Sequence, residues 1–177
     1  MKIILKIGIL LATLLTSLLG LAESKSDKVY DLFNGKDGTT SLCFSKSAIE
    51  PFEIFLDDES KKVIYKMEKV KFLAYDENKG DLSASDVFNR IDKILSNDKY
   101  FTIDPDEINC DDCHADWKKE NVRIIGHGEK KAMDEFHILV KDNNSCLLFS
   151  FFGNITVADL KYCTKFSKSV KIDINNK

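Results

Sequence analysis

Ser145-Cys146-Leu147-Leu148-Phe149-Ser150-Phe151-Phe152 is the segment of this 177-residue chain that best indicates its architecture. From residue 147 to 152, apolar side chains fall on both faces of the strand that this run predicts. A strand that is apolar on both faces lies in the middle of a sheet, where other elements cover it. The turn Asp142-Asn143-Asn144-Ser145 precedes it and follows a predicted strand over residues 136–141. Together they predict a β-hairpin that forms the centre of the sheet.

Earlier in the chain, the alternation of apolar residues predicts further strands over residues 39–45, 70–75, 100–103 and 122–125. The clearest helix, residues 84–96, is capped by Ser83 and carries its apolar residues on one face. Other helices are predicted over residues 47–56 and, capped by Thr156, from 157 to about 169. The acidic turn at 57–60 either breaks the first of these or starts a further helix that runs to 67. We therefore predict an α+β fold, a mostly antiparallel sheet of five to six strands with three or more helices packed on it.

Two expectations concern individual side chains. In the strand over residues 39–45, we expect Leu42, Cys43 and Phe44 to be buried, since they form its apolar centre. His137 stands between Phe136 and Ile138 in the alternation, so we expect it to be half exposed, with no role.

The N-terminus has the three regions of a secretory signal peptide. Lys2 and Lys6 form a basic start, an apolar run follows, and Gly20-Leu21-Ala22 supplies the small residues of a cleavage site. The sequence thus predicts a signal peptide at 1–22, a flexible N-terminal arm at 23–38, and a single α+β domain at 39–177 with a cysteine-bearing loop at 104–121. We expect a periplasmic or secreted protein with no membrane span and no lipid-anchor cysteine after cleavage.

The charge pattern argues against two classes of partner. The net charge is −3 and becomes −5 when the two lysines of the signal are removed, and no basic block interrupts the mixture of lysines and acids. Nucleic acid and anionic membrane are therefore poor partners.

The chain has no glycine-rich phosphate loop and no His-Glu-x-x-His, so we predict no catalytic residues and no metal site.

Cys110-Asp111-Asp112-Cys113-His114 is the one chemical motif, C-x-x-C-H, which is typical of c-type haem attachment. Cys110 and Cys113 would bond the two haem vinyl groups, and His114 would supply an axial nitrogen. His127, Met133 or His137 could supply the second axial ligand. Because the surrounding loop is acidic and lacks the apolar helix of a haem pocket, haem c stays an alternative cofactor.

Three other interpretations use the same residues. We favour a structural disulfide between Cys110 and Cys113, whose tight loop would add little stability. A redox-active pair needs a lowered thiol pKa, which the neighbouring aspartates oppose. A zinc site needs a fourth ligand, and no second close pair of ligands follows.

The remaining cysteines, Cys43, Cys146 and Cys163, lie beside bulky apolar residues and are expected to be buried thiols. In an oxidising compartment, Cys163 could instead pair with Cys146 or with Cys43. Because the chain has five cysteines, at least one stays free or bonds another chain.

Three segments of the second half of the chain carry a family resemblance. They are Met133-Asp134-Glu135-Phe136-His137-Ile138-Leu139-Val140, Ser145-Cys146-Leu147-Leu148-Phe149-Ser150 and Phe152-Gly153-Asn154-Ile155-Thr156-Val157-Ala158-Asp159-Leu160. Together they resemble the C-terminal half of the domain-of-unknown-function family 4252. The resemblance extends from residue 39 to about 170 and implies a small exported protein of gram-negative bacterial envelopes. It implies no established activity and no catalytic residues. Residues 108–117 depart from the family pattern as a cysteine-bearing insertion.

Together these observations predict an exported envelope protein that acts as a non-catalytic binding or interaction module. Its partner would be another envelope protein or a small ligand. A small c-type haem electron carrier that uses Cys110, Cys113 and His114 is the alternative, and a thiol-disulfide enzyme is a further one.

Overall fold

The computed structural model describes residues 24–96, 99–108 and 121–163. The strands are β1 (Thr39–Ser45), β2 (Met67–Asp76), β3 (Tyr100–Thr102), β4 (Val122–Glu129), β5 (Ala132–Lys141) and β6 (Ser145–Ile155). The helices are α1 (Lys25–Phe33), α2 (Lys46–Ile49), α3 (Asp58–Lys66) and α4 (Ala84–Leu95). Short 3₁₀ helices cover Glu50–Phe55, Pro105–Glu107 and Val157–Asp159.

The six strands form one antiparallel sheet in the order β1-β2-β6-β5-β4-β3. Strands β3 to β6 make a meander, and β2 joins it beside β6, with β1 outside β2. Because β2 and β3 lie in different halves of the sheet, the chain between them, including α4, crosses from one half to the far edge. The predicted α+β fold with a mostly antiparallel sheet of five to six strands is confirmed.

Strand β6 is central, as its apolar pattern predicts, and pairs with β2 on one side and β5 on the other. Near its end, Gly153 has a φ of +146°. A Cβ at this position would lie 2.1 Å from the carbonyl oxygen of Lys66. The close approach of β6 to the start of β2 therefore requires glycine.

We call face A the side of the sheet on which α2 and α3 pack. Ile49 of α2 and Val63 and Ile64 of α3 join its apolar cluster. At its centre the rings of Phe136 and Phe151 stack with their centroids 4.6 Å apart. Each such side chain contributes roughly 1.5–3 kcal/mol through burial, so this face is a main source of stability.

We call face B the opposite side, which α1 and α4 cover. The N-cap side chain of each helix accepts a backbone hydrogen bond, Ser24 from Asp27 and Ser83 from Asp86. Both helices bury their apolar stripe against the sheet. The buried stripe residues are Val29, Tyr30 and Phe33 in α1 and Val87, Phe88, Ile91 and Leu95 in α4.

Strand β1 spans the predicted residues, but the expected burial of its centre is wrong. Leu42 is 44% exposed, Phe44 is 37% exposed and Cys43 is also exposed. The physical reason is position, because among the described residues β1 pairs only with β2 and forms the edge of the sheet. An edge strand lacks the neighbour that would cover one flank of its side chains.

The segment 23–38, expected to be a flexible arm, differs from that expectation over α1. Residues 25–33 are helical, and Ser26, Val29, Tyr30 and Phe33 are buried. These residues recur every three to four positions and so form one face of the helix. Packing of that face on the sheet holds the segment in place.

The helix predicted over residues 47–56 is divided in the structure. The α-helix begins at Lys46, ends at Ile49 and continues as the 3₁₀ helix Glu50–Phe55. Since the helix begins before Ser47, Pro51 falls where its missing N–H would have continued the α-helical hydrogen bonds. At the other end of the domain, the helix predicted from 157 to about 169 begins with the 3₁₀ turn Val157–Asp159, and residues 160–163 are α-helical. Residues 164–169 of that prediction lie outside the described residues.

Candidate functional site

Three polar side chains come together on face B at the centre of the sheet. The register places His137 of β5 directly opposite Ser150 of β6. Glu135 lies two residues before His137 and therefore shares its face. His137 and Ser150 are 0% exposed, and Glu135 is nearly buried. Strand pairing thus creates a serine, a histidine and a carboxylate in contact.

These groups form a directed chain of contacts that starts on α1. The Tyr30 hydroxyl donates to Ser150 Oγ at 2.9 Å. Because its oxygen accepts from Tyr30, we assign the Ser150 proton to the bond with His137 Nδ1, also 2.9 Å long. The neutral ring then carries its proton on Nε2, 3.4 Å from Glu135 Oε2. That distance is too long for a well-formed hydrogen bond, and His137 Nε2 has no other partner.

Two further hydroxyl groups hold the carboxylate. Ser26 of α1 donates to Glu135 Oε2 at 2.9 Å, and Tyr100 of β3 donates to the same oxygen at 3.2 Å. Glu135 therefore receives hydrogen bonds from a helix and from a strand at the edge of the sheet. Charge-assisted bonds of this kind are stronger than bonds between neutral groups.

Burial and these bonds set the charges of the cluster. Burial lowers the pKa of His137, so its ring is neutral near neutral pH. Burial by itself would raise the pKa of Glu135, but the nearby His137 and the donors Ser26 and Tyr100 outweigh it and hold that pKa at about 2. Burial also raises the pKa of Tyr30, which stays a neutral donor. The chain therefore consists of one carboxylate and a series of neutral donors.

The order serine, histidine, carboxylate is that of nucleophilic hydrolases. In this protein Ser150 is fully buried, and its Oγ accepts a hydrogen bond from the hydroxyl of Tyr30 in α1. A substrate has no path to Ser150 while α1 is in place. The arrangement therefore binds α1 to strands β5 and β6.

An ion pair binds α1 to a third strand. Lys71 Nζ of β2 lies 2.5 Å from Asp27 Oδ1 of α1 and 4.8 Å from the centre of the Tyr30 ring. Residues of α1 thus contact β2, β5 and β6 through polar groups, in addition to its buried apolar stripe. This number of contacts explains why the segment is ordered.

No local pattern in the sequence predicts this cluster. Glu135, His137 and Ser150 form no compact motif. The expected half exposure of His137 is wrong, because Ser150 bonds its ring and the rings of Tyr100 and Phe152 lie beside it, with centroids 5.8 and 6.4 Å away. One signal was present: residues 135 and 137 share a face in any strand. Their contact with residue 150 follows only from the pairing of β5 with β6.

A hollow of about 320 Å³ lies where the cluster approaches the surface. His127 Nδ1 contacts Asp134 Oδ1 at 2.5 Å, and its ring lies 4.7 Å from that of Tyr100. Tyr100 links this hollow to Glu135 behind it. The hollow is lined by Lys99, Tyr100, Phe101, His127 and Gly128.

The haem-attachment candidates Cys110, Cys113 and His114 lie outside the described residues. The structure does place the residues considered as second axial ligands. Met133 is fully buried in the face A cluster, and the Nδ1 atom of His137 is bonded to Ser150 on face B. Within the described ranges, no group of three or more histidine, cysteine or acidic residues could hold a metal ion.

The described cysteines are free thiols. Cys146 belongs to the cluster on face B and Cys163 to the cluster on face A, so the sheet separates them. The pairings considered for Cys163 are therefore absent, since Cys43 is also free. Burial raises the pKa of Cys146 to about 12 and also raises that of Cys163. Both are poor nucleophiles.

The outer edge of β1, on the side away from β2, is the second notable surface. The register of β1 with β2 runs without a bulge from Thr39 to Ser45. Its seven residues include no charge and no proline. The edges of sheets are usually protected by lysine, proline or a bulge. Because β1 has none of these, we call its outer edge the open edge. The opposite edge strand, β3, is only three residues long.

Comparison with protein-family models, curated proteins and solved structures finds no match for this chain. None of the helices in the described ranges has the length and apolar character needed to cross a membrane.

Proposed function

We propose that this protein is an exported, non-catalytic binding module and that the open edge of β1 is its binding element. The observation that carries the proposal is an uncharged and unbroken strand at the edge of a sheet whose two faces are packed with helices. Such an edge accepts an extended segment of a partner as an additional strand.

The hydrogen-bonding groups of the open edge follow from one bond. The Asp76 N–H donates to the carbonyl oxygen of Gly38 at 2.9 Å, just before β1 begins. In an antiparallel pair, residues that bond the neighbour alternate with residues that face away from it. Leu42 therefore bonds β2, whereas the N–H and C=O groups of Ser41 and Cys43 point outward. A partner strand would bond these outward groups.

Side chains on the same strand would add selectivity. Leu42 and Phe44 are opposite Phe72 and Val70 of β2 and so lie on face A. Both are partly exposed, and a partner strand would cover them further. Strand addition obtains affinity from backbone bonds and specificity from such alternate side chains.

The other parts of the proposal have their own support. The signal-peptide pattern at 1–22 and the resemblance to an exported envelope family support export. The enclosure of Ser150 beneath α1 supports a role without catalysis.

A peptide titration tests the binding element. The probe is a synthetic peptide with the sequence of residues 39–45 and serine in place of the cysteine. Ser41→Pro removes an outward N–H that β2 does not use, and Ser41→Ala is the matched control that keeps it. We expect the wild type and Ser41→Ala to bind the probe, and Ser41→Pro to bind at least about tenfold more weakly.

Amide chemical shifts of β1 report the binding, and circular dichroism checks that both variants are folded. Equal affinity of the two variants, or no binding by the wild type at millimolar probe, would contradict the proposal. Mass spectrometry of the protein recovered after export tests the signal peptide, and a chain that retains residues 1–22 would contradict export.

A further inference from the structure

We infer that the partner strand at the open edge is β1 of a second copy of this chain. The inference rests on the proposed function and specifies its partner. The two copies would pair β1 with β1 in antiparallel orientation about a two-fold axis, so that two six-stranded sheets become one continuous sheet.

Backbone geometry selects the register. The outward groups belong to Ser41, Cys43 and Ser45, together with the carbonyl of Thr39, whose N–H donates within the preceding turn. A two-fold axis at Leu42 pairs Ser41 with Cys43 of the second copy and Thr39 with Ser45. This register uses all of the outward groups and forms about six hydrogen bonds between the copies. Moving the axis by one residue, to Ser41 or Cys43, would still place outward groups opposite each other, but only five residues of each β1 would then overlap and fewer hydrogen bonds would form.

Side chains fit the same register. Leu42 would face Leu42 of the second copy across the axis, in the closely spaced position of an antiparallel pair. Phe44 would face Thr40 of the second copy on face A. These are contacts between apolar or neutral groups, and no charged residue of β1 is buried.

Charge at the two ends of β1 favours antiparallel pairing of like strands. Asp37, just before β1, is exposed, and Lys46, just after it, is also exposed. The two-fold axis at Leu42 brings Lys46 of each copy beside Asp37 of the other. A parallel arrangement would bring like charges together, which disfavours it.

Length distinguishes this edge from the other one. Strand β1 offers seven residues, whereas β3 offers three. A long, flat and uncharged edge is the kind that pairs with another chain. Pairing of two β1 strands would bond the outward backbone groups of both copies at once. The short β3 strands would then form the two edges of the combined sheet.

Cysteine crosslinking tests the position of the axis. In a Cys43→Ser background, Leu42→Cys places two thiols across the axis with Cβ atoms about 4.5–5.5 Å apart, close to what a disulfide needs. Phe44→Cys is the matched control, because it lies on the same face with similar exposure. In the proposed register its two thiols are four residues apart along the strands, roughly 13 Å.

We expect mild oxidation of the exported protein to convert most of the Leu42→Cys variant to a covalent dimer that reductant reverses. The Phe44→Cys variant and the Cys43→Ser background should form at least about tenfold less. Peptide mass spectrometry locates the disulfide at position 42. Equal crosslinking at positions 42 and 44 would overturn the inference.

Sedimentation equilibrium of the unmodified chain and of Ser41→Pro separates this inference from the proposed function. We expect the wild type to approach twice the monomer mass as its concentration rises and Ser41→Pro to remain monomeric. A wild type that binds the β1 peptide but stays monomeric at millimolar concentration overturns the second copy and retains the binding edge. A dimer that Ser41→Pro leaves unchanged overturns the pairing of two β1 strands, and equal peptide affinity of Ser41→Pro and Ser41→Ala overturns the binding edge as well.

Discussion

Strands β1 and β6 contain similar residues in opposite surroundings. Ser41-Leu42-Cys43-Phe44-Ser45 forms the edge of the sheet, and Ser145-Cys146-Leu147-Leu148-Phe149-Ser150 lies in its centre. Leu42 is 44% exposed, whereas Leu148 is fully buried. The comparison shows that the residues of a strand determine that it is a strand, and its neighbours determine whether it is core or surface.

The two cysteines provide the largest expected difference. Cys43 is exposed, whereas burial raises the pKa of Cys146 to about 12. Each pKa unit above the solution pH lowers the reactive thiolate tenfold, so Cys43 should alkylate at least about a thousandfold faster in the reduced native protein. Mass spectrometry of the labelled peptides measures both rates. In denaturant the rates should become similar, and similar rates in the native state would contradict the buried position of Cys146.

The leucines give the next largest effect. Leu148→Ala should lower the free energy of unfolding by about 2–5 kcal/mol, because it opens a cavity in the face B core. Leu42→Ala, with the same atoms removed, should lower it by less than about 1 kcal/mol in the monomer. Urea unfolding at low protein concentration measures both values. Equal losses would mean that β1 is covered as well as β6 is.

The serines give the smallest difference. Ser150→Ala leaves the Tyr30 hydroxyl and His137 Nδ1 without their partner and should cost about 1–3 kcal/mol. Ser41→Ala should change stability by at most about 0.5 kcal/mol, since that side chain is exposed.

In a double-mutant cycle, Tyr30→Phe and Ser150→Ala should be less destabilising together than the sum of the two single changes. Strict additivity would contradict the directed chain of hydrogen bonds.

Local sequence signals predicted much of the fold. The apolar run of β6, the turn before it and the Ser83 cap of α4 each act over a few residues, and the structure confirms all three. The expectations that failed depend on distant contacts. The N-terminal segment is ordered because Tyr30 meets Ser150, a residue 120 positions later in the chain.

The candidate surfaces were less predictable than the fold. The three-residue cluster on face B requires β5 and β6 to pair in one register, which brings His137 to Ser150. The open edge requires the order of strands, which no local pattern specifies. The C-x-x-C-H motif was visible in the sequence because its residues are contiguous, and it lies outside the described residues.

Local signals in the sequence were enough to predict the six strands and helix α4, because periodicity, capping and turn residues act over a few positions. They also predicted that residues 147–152 form a central strand, because the run is short, follows a turn, and is apolar on both faces, which then need other elements to cover them. Tertiary structure alone decided that the similar residues of β1 stand at the edge and that Glu135, His137 and Ser150 meet beneath α1. The reason is that strand order and register are set by contacts between segments far apart in the chain, which the local pattern does not encode.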